Sequence, residues 1–212
     1  MRTSHHDIPA GTTSEQFWEP YYSGGSSRWS GKANASLVEE LEGVTPGTAL
    51  DLGCGQGGDA IWLAAAGWTV TAVDVAQSAL DVAAALAAEA GVSGAISWER
   101  HDLAATFPAG SFDLVASTFM HSPVAFPRTQ VLKAAAAAVR PGGTLLVIGH
   151  APSPEHQHDL QTAQELADDL ALPAAEWQVR TCGLVDRVHT FGDGETAERT
   201  DAVLRLQRRS RD

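Results

Sequence analysis

Leu50-Asp51-Leu52-Gly53-Cys54-Gly55-Gln56-Gly57-Gly58 is the stretch that decides the fold. Thr48–Leu52 is short and apolar and reads as a buried strand that stops at Gly53. Gly58–Ala66 reads as a helix, with Ile61, Ala64 and Ala65 on one side and Gly67 just past its end. Between the two lies a loop of closely spaced glycines. A ligand cannot approach a backbone past β-carbons, so glycine is needed wherever close approach occurs. The loop also feeds a helix N-terminus, whose free N–H groups suit an anionic or polar group.

The same strand–helix alternation continues outward. Thr69–Val73 is a second strand ending at Asp74, and Ser78 is placed to cap a helix to Ala90, with Asp81 in a weak capping box. Ala95–Glu99, Phe112–Ser117 and Thr144–Ile148 read as three more strands, and Arg128–Val139 as an Ala-rich helix halted at Pro141-Gly142-Gly143. Ser153 and Pro154 open a helix to about Leu170. Trp177–Val188 and Asp201–Gln207 alternate as two last strands, joined through Gly192-Asp193-Gly194. Apolar strands alternating with helices imply an α/β domain: a doubly wound, mostly parallel, seven-stranded sheet with helices on both faces. Its ligand belongs outside the carboxyl ends of the strands. Upstream, Met1–Thr13 reads as a flexible end, and Ala33–Leu41 as a short helix. Phe17, Trp18, Tyr21, Tyr22 and Trp29 crowd one Gly- and Ser-rich segment and are expected to fold over something apolar.

Composition narrows the partners. The 212 residues carry 26 acidic and 14 basic side chains, a formal net charge of −12. That balance argues against a nucleic-acid backbone as partner. The basic run Arg205, Arg208, Arg209 and Arg211 reads as a solvated strand end. Cys54 and Cys182 give no disulfide framework, and there is neither a secretory signal nor an apolar run of membrane-spanning length. A cytoplasmic protein, monomer or homodimer, is expected.

Two cofactors compete for the glycine loop. Gly53, Gly55 and Gly58 satisfy the dinucleotide pattern G-x-G-x-x-G, which alone is weak. Asp51, Gly53, Gly55 and Gly57 match the first motif of the class I S-adenosylmethionine-dependent methyltransferases, which the chain resembles: an acidic residue two positions before G-x-G-x-G. A carboxylate at the strand end would repel a pyrophosphate, whereas it suits an ammonium and a sulfonium. The resemblance covers nearly the whole chain. It implies that Asp74, followed by Val75, accepts the ribose hydroxyls, and that Asp102 and Leu103 contact the adenine. Cys54 would be a small apolar loop residue, and Ser117 would line the cofactor site. Phe112-Asp113-Leu114-Val115 resembles the family's fourth strand, and Arg140-Pro141-Gly142-Gly143 its turn into the fifth. Trp29-Ser30-Gly31-Lys32-Ala33-Asn34 resembles the N-terminal lid of small tellurite- and thiopurine-type members, so residues 1–46 are expected to form a lid and 47–212 the methyltransferase domain.

These readings imply methyl transfer from S-adenosylmethionine, leaving S-adenosylhomocysteine, to an oxygen, nitrogen or sulfur of a small-molecule acceptor. No metal is expected. An NAD(P)-dependent oxidoreductase or a non-catalytic S-adenosylmethionine-binding protein are the alternatives. A base is needed only if the nucleophile must lose a proton, and His121 and His150, after the fourth and fifth strands, are its candidates. His156 and His158 read as solvated. Residues 117–120 depart from the N/D-P-P-Y signature of enzymes that methylate exocyclic amines.

Overall fold

The carboxyl ends of the first five strands are gathered at one edge of a seven-stranded sheet, and this is what places the glycine loop. The computed structural model describes residues 8–24, 31–152, 160–190 and 196–210. In chain order the elements are α1 (Ser14–Ser23), α2 (Ala35–Glu40), β1 (Thr48–Leu52), α3 (Gly58–Ala65), β2 (Thr69–Asp74), α4 (Gln77–Glu89), β3 (Ile96–Arg100), β4 (Phe112–Thr118), α5 (Arg128–Ala138), β5 (Val139–His150), α6 (Ala163–Leu170), β6 (Trp177–Thr190) and β7 (Thr196–Arg208). The sheet order is β3-β2-β1-β4-β5-β7-β6. The first five strands run parallel, and β7 pairs antiparallel with both β5 and β6. Strand order therefore turns back between β1 and β4, which opens a crevice at their carboxyl ends.

Side-chain alternation along the strands builds a core on each face. On one face Leu50, Leu52, Val115, Val147 and Leu204 pack with Leu132 and Ala135 of α5 and Leu166 and Leu170 of α6. On the other, Ala49, Ala72, Leu114, Ala116, Ile148 and Val203 pack with Leu37 of α2 and Ala60 and Leu63 of α3. Each fully buried leucine contributes about 1.5–3 kcal/mol. The alanines that line this second face leave room for α3 to sit close against β1.

Local differences from the sequence reading have local causes. The aromatic segment holds a helix, α1, that neither periodicity nor composition suggested. It starts at Thr13, whose side chain and that of Gln16 form a reciprocal capping box. Helix α4 starts one residue before Ser78, with Ala76 at the cap and no side-chain cap bond. The Ser78 hydroxyl and backbone N–H instead bond the carbonyl and carboxylate of Glu19, both at 3.3 Å, tying α4 to α1. Strand β5 runs through Pro141-Gly142-Gly143, with the register shift against β4 lying between Phe112 and Leu114. Helix α6 starts at Ala163 under a Thr162–Glu165 capping box. Ser153, Pro154, His156, His158 and the Gly192-Asp193-Gly194 link lie outside the described residues.

Candidate functional site

The loop between β1 and α3 is built from left-handed backbone. Gly53, Gly55 and Gly57 have φ of +70°, +51° and +81°. Space adds a second demand. A β-carbon at Gly57 would lie 2.8 Å from Ala83 Cβ and from the Trp98 ring, and one at Gly55 would lie 3.0 Å from the Tyr22 hydroxyl. Helix α1 thus lays Tyr22 over the loop, backed by stacked and edge-on contacts among Phe17, Trp18 and Tyr21. Gly58 faces Lys32, whose carbonyl oxygen would sit 2.9 Å from an added β-carbon. Gly31 and Lys32 of the lid motif therefore cross the start of α3. Trp29 itself lies outside the described residues.

Three carboxylates surround this loop. Asp51, on β1, is only 1% exposed, and neither of its oxygens completes a hydrogen bond among the described residues. Burial, then the neighbouring Asp59 and Asp74, push its pKa well above the usual carboxylate range; the Ala60 N–H nearby opposes this weakly. Asp74 ends β2 and accepts the Gly55 and Ala76 N–H groups, each at 2.9 Å. Burial raises its pKa against those two bonds. Asp59, in the first turn of α3, accepts the Asn34 N–H at 2.7 Å and the Thr118 hydroxyl at 2.5 Å. It was not singled out from sequence, although an aspartate at a helix N-terminus after such a loop is a usable signal. Ser117, one residue before the end of β4, is fully buried, with its hydroxyl lacking a partner among the described residues.

The remaining expected contacts border the same crevice. Asp102 lies after β3, where its Oδ1 accepts the Ala104 N–H at 3.0 Å. Leu103 packs against the core, and the Val75 carbonyl accepts from Arg100 Nε at 3.0 Å. Arg100 also pairs with Glu15 of α1 at 2.6 Å. The Cys54 thiol has its pKa pushed well up by burial and by Asp74 and Asp51, so it is a poor nucleophile, as its small apolar reading requires.

A second group of side chains stands beyond β4 and β5. The His150 ring stacks on Phe119, centroids 4.4 Å apart, and lies nearly parallel to the His121 ring at 5.7 Å. Phe119 adopts a left-handed φ of +51°, a strained state that costs about 1–3 kcal/mol. Arg187 of β6 lies 5.4 Å above the Phe119 ring. Its guanidinium donates to Asp201 Oδ2 at 2.6 Å, and the Ser36 hydroxyl of α2 donates to the same oxygen at 2.9 Å. Asp201 is directly opposite His150 across the β5–β7 pair. His121 Nε2 accepts the His150 backbone N–H at 3.3 Å. Burial, then Arg128 and His150, lower the His121 pKa to about 4, so the ring is neutral at pH 7 and its proton sits on Nδ1. Phe119, Arg187, Asp201 and Arg128 were not legible in the sequence, because strand pairing brings them to the histidines.

Residues 49–143 match a family described as "Methyltransferase domain". Over these residues the chain matches a methyltransferase domain, and its sheet has the fold of S-adenosylmethionine-dependent methyltransferases. The matched stretch runs from β1 to the Pro141-Gly142-Gly143 stretch of β5 and contains the whole glycine loop. A ubiquinone biosynthesis O-methyltransferase of Bordetella avium is 36% identical over 107 residues, covering 50% of this chain and 44% of that one. The chain thus spans less than half the length of that relative. The structure solved in work on conversion of a disulfide bond into a thioacetal group during echinomycin biosynthesis superposes with a TM-score of 0.72 at 23% identity, covering 92% of each chain. TehB from Haemophilus influenzae superposes with a TM-score of 0.65 at 19% identity, covering 91% of this chain and 67% of that one. Both share the sheet architecture of the methyltransferase domain.

S-adenosylmethionine is the cofactor of this family, and the residues present fit it. The test is Asp51: two buried carboxylate oxygens without partners suit an ammonium donor, and a pyrophosphate would meet repulsion there. The glycine loop leaves the backbone bare beside them. Asp74 holds lone pairs beyond its two backbone bonds, as acceptance of ribose hydroxyls requires. Among the described residues no helix is long and apolar enough to cross a membrane, and no cluster of His, Cys, Asp and Glu could hold a metal ion.

Proposed function

We propose that this protein transfers the methyl group of S-adenosylmethionine to a hydroxyl of a small-molecule acceptor, with His150 taking the hydroxyl proton. The bound cofactor supplies the methyl carbon and its sulfonium leaving group. Asp51 and Asp74 hold the cofactor's ammonium and ribose, and Asp102 and Leu103 the adenine. Ser117 adds a hydrogen bond from the β4 end. Helix α1, with Tyr22 over Gly55, covers this site and keeps water out; residues 1–46 are assigned to the lid and residues 47–212 to the catalytic domain. Three acidic groups at one loop suit a cation and exclude an anionic cofactor tail.

The observation that carries the choice of base is the hydrogen bond between His121 and the His150 backbone. It occupies the lone pair of His121, leaving that ring without a basic nitrogen to offer. The exposed His150 ring stands at the end of β5, where an acceptor above the crevice would lie. Phe119, with Arg187 over its ring, holds it from one side. The Bordetella avium relative's name, an O-methyltransferase, favours oxygen as the nucleophile. Base removal of a proton is worth about 10²–10⁴-fold in rate.

Calorimetry with S-adenosylhomocysteine tests the cofactor, and release of that product from S-adenosylmethionine over a panel of phenols and alcohols tests the reaction. Replacing His150 with Gln should lower kcat by about 100-fold and leave KM within a few-fold. A His150→Gln protein at full kcat would remove His150 from the reaction. Saturable NADH binding without any product binding would remove the reaction itself.

A further inference from the structure

Arg128 is a half-buried cation for which the described residues hold no countercharge. It opens α5, and its guanidinium reaches back beneath the carboxyl end of β5. One nitrogen donates to Gln161 Oε1 at 3.1 Å, and Gln161 in turn donates to Asp169 at 2.7 Å. Its Nε is fully buried and has no hydrogen-bond partner among the described residues. No carboxylate among them forms an ion pair with it. Holding that one N–H of a cation out of water without an acceptor is costly unless an acceptor, best an anion, compensates it.

The place of this cation matters as much as its isolation. A cavity of about 10 Å³, lined by Arg128, His121, Gly149, Gln161 and Thr162, lies beside it. That is room for one water-sized group, or one oxygen of a larger anion. Gly149 is the residue before His150, and the point where its β-carbon would stand is 3.0 Å from His121 Nε2 and 3.9 Å from the Arg128 terminal nitrogen. Both side chains thus press on the backbone that carries the proposed base. His121 cannot neutralise Arg128, because an imidazole is neutral or cationic and never carries a negative charge.

We propose that Arg128, with Gln161 as its orienting partner, is the anchor for a carboxylate on the methyl acceptor, so that the acceptor is a hydroxy acid. This rests on the methyl-transfer reading above and adds the class of acceptor. A carboxylate oxygen set against Arg128 Nε meets a donor in fork geometry, which guanidinium offers and ammonium does not. The acceptor hydroxyl then extends past Gly149 to His150.

Benzoate and benzamide are the probes, matched in shape and different in charge. With saturating S-adenosylhomocysteine present, benzoate should raise the melting temperature of the protein and benzamide should not. 3,4-Dihydroxybenzoate should be turned over with a KM roughly 10- to 100-fold below that of 3,4-dihydroxybenzamide, the weight of a charge-assisted bond. Arg128→Met should abolish both differences while leaving the affinity for S-adenosylhomocysteine unchanged. Arg128→Lys, the milder change should Arg128→Met not fold, should keep the preference for benzoate but weaken it about tenfold. Equal shifts from both probes, a shift from neither, or a benzoate shift that survives in Arg128→Met would overturn the proposal. Loss of S-adenosylhomocysteine binding in the unmodified protein would instead overturn the methyl-transfer reading on which it rests.

Discussion

Replacing Asp51 with Asn should make the empty protein more stable and the loaded one weaker. The side chain is almost wholly buried with two oxygens unpartnered, and it shares its surroundings with Asp59 and Asp74. A buried polar atom without a partner costs about 1–3 kcal/mol, more when charged. Asparagine removes the charge, keeps the shape and ends the repulsion. The gain for the empty protein is then about 1–3 kcal/mol, and each kcal/mol moves Tm by roughly 2–4 °C at this chain length. The loss appears on binding. An ammonium on a neutral amide forfeits about 1.5–3 kcal/mol, which is about 10- to 150-fold in Kd. At a ligand concentration about 1,000 times the wild-type Kd, S-adenosylhomocysteine stabilises the wild type by about 4 kcal/mol. With a 100-fold weaker Kd the same concentration gives only about 1.4 kcal/mol. Differential scanning calorimetry with and without ligand reads both halves. A variant that melts lower when empty, or that keeps the full ligand shift, would refute the account of Asp51 as a buried carboxylate that seats a cation at a cost to stability.

Asp74→Ala should cost about 2–3 kcal/mol of cofactor affinity by isothermal calorimetry, and should also loosen the glycine loop in hydrogen exchange, because the Gly55 and Ala76 N–H groups lose their acceptor. His121 has a folded pKa of about 4, below its ordinary value of 6.5, so its protonation favours the unfolded chain. Its stabilising share is whole above about pH 6.5 and falls away towards pH 4, by at most about 3 kcal/mol. The buried carboxylates slope the opposite way, so the check is the difference in urea midpoint between wild type and His121→Gln at pH 7.5 and 4.5; a constant difference would refute it. Asp201→Ala leaves Arg187 buried without its carboxylate and should cost about 3–5 kcal/mol in urea unfolding.

The parts of the fold that depend on near neighbours in sequence could be read from it. Spacing alone marks Gly53, Gly55 and Gly57, since left-handed backbone and close approach demand glycine, and Asp51 and Asp74 follow at strand ends. The first five strands were legible as short apolar runs and the last two through their alternation, though β5 runs beyond its expected ends by pairing with both β4 and β7, and β6 and β7 by pairing with each other. Helix α1 was hidden: its aromatics and flanking glycines mask a pattern whose real signal was Thr13 and Gln16 three apart. The acceptor side was nearly illegible. His150 meets Asp201 only through β5–β7 register, and Arg128 meets His121 only because α5 folds back beneath the strand ends.

The hydroxyl of Ser36 gives the N-terminal helices a structural stake in the far strands. That one oxygen on Asp201 receives both Ser36 and Arg187, and Leu37 beside it is fully buried. Cleavage ahead of β1 would therefore not shed an ornament: it would strip a plug from the sheet, wet a carboxylate that holds Arg187, and unseat the aromatic ring on which His150 rests.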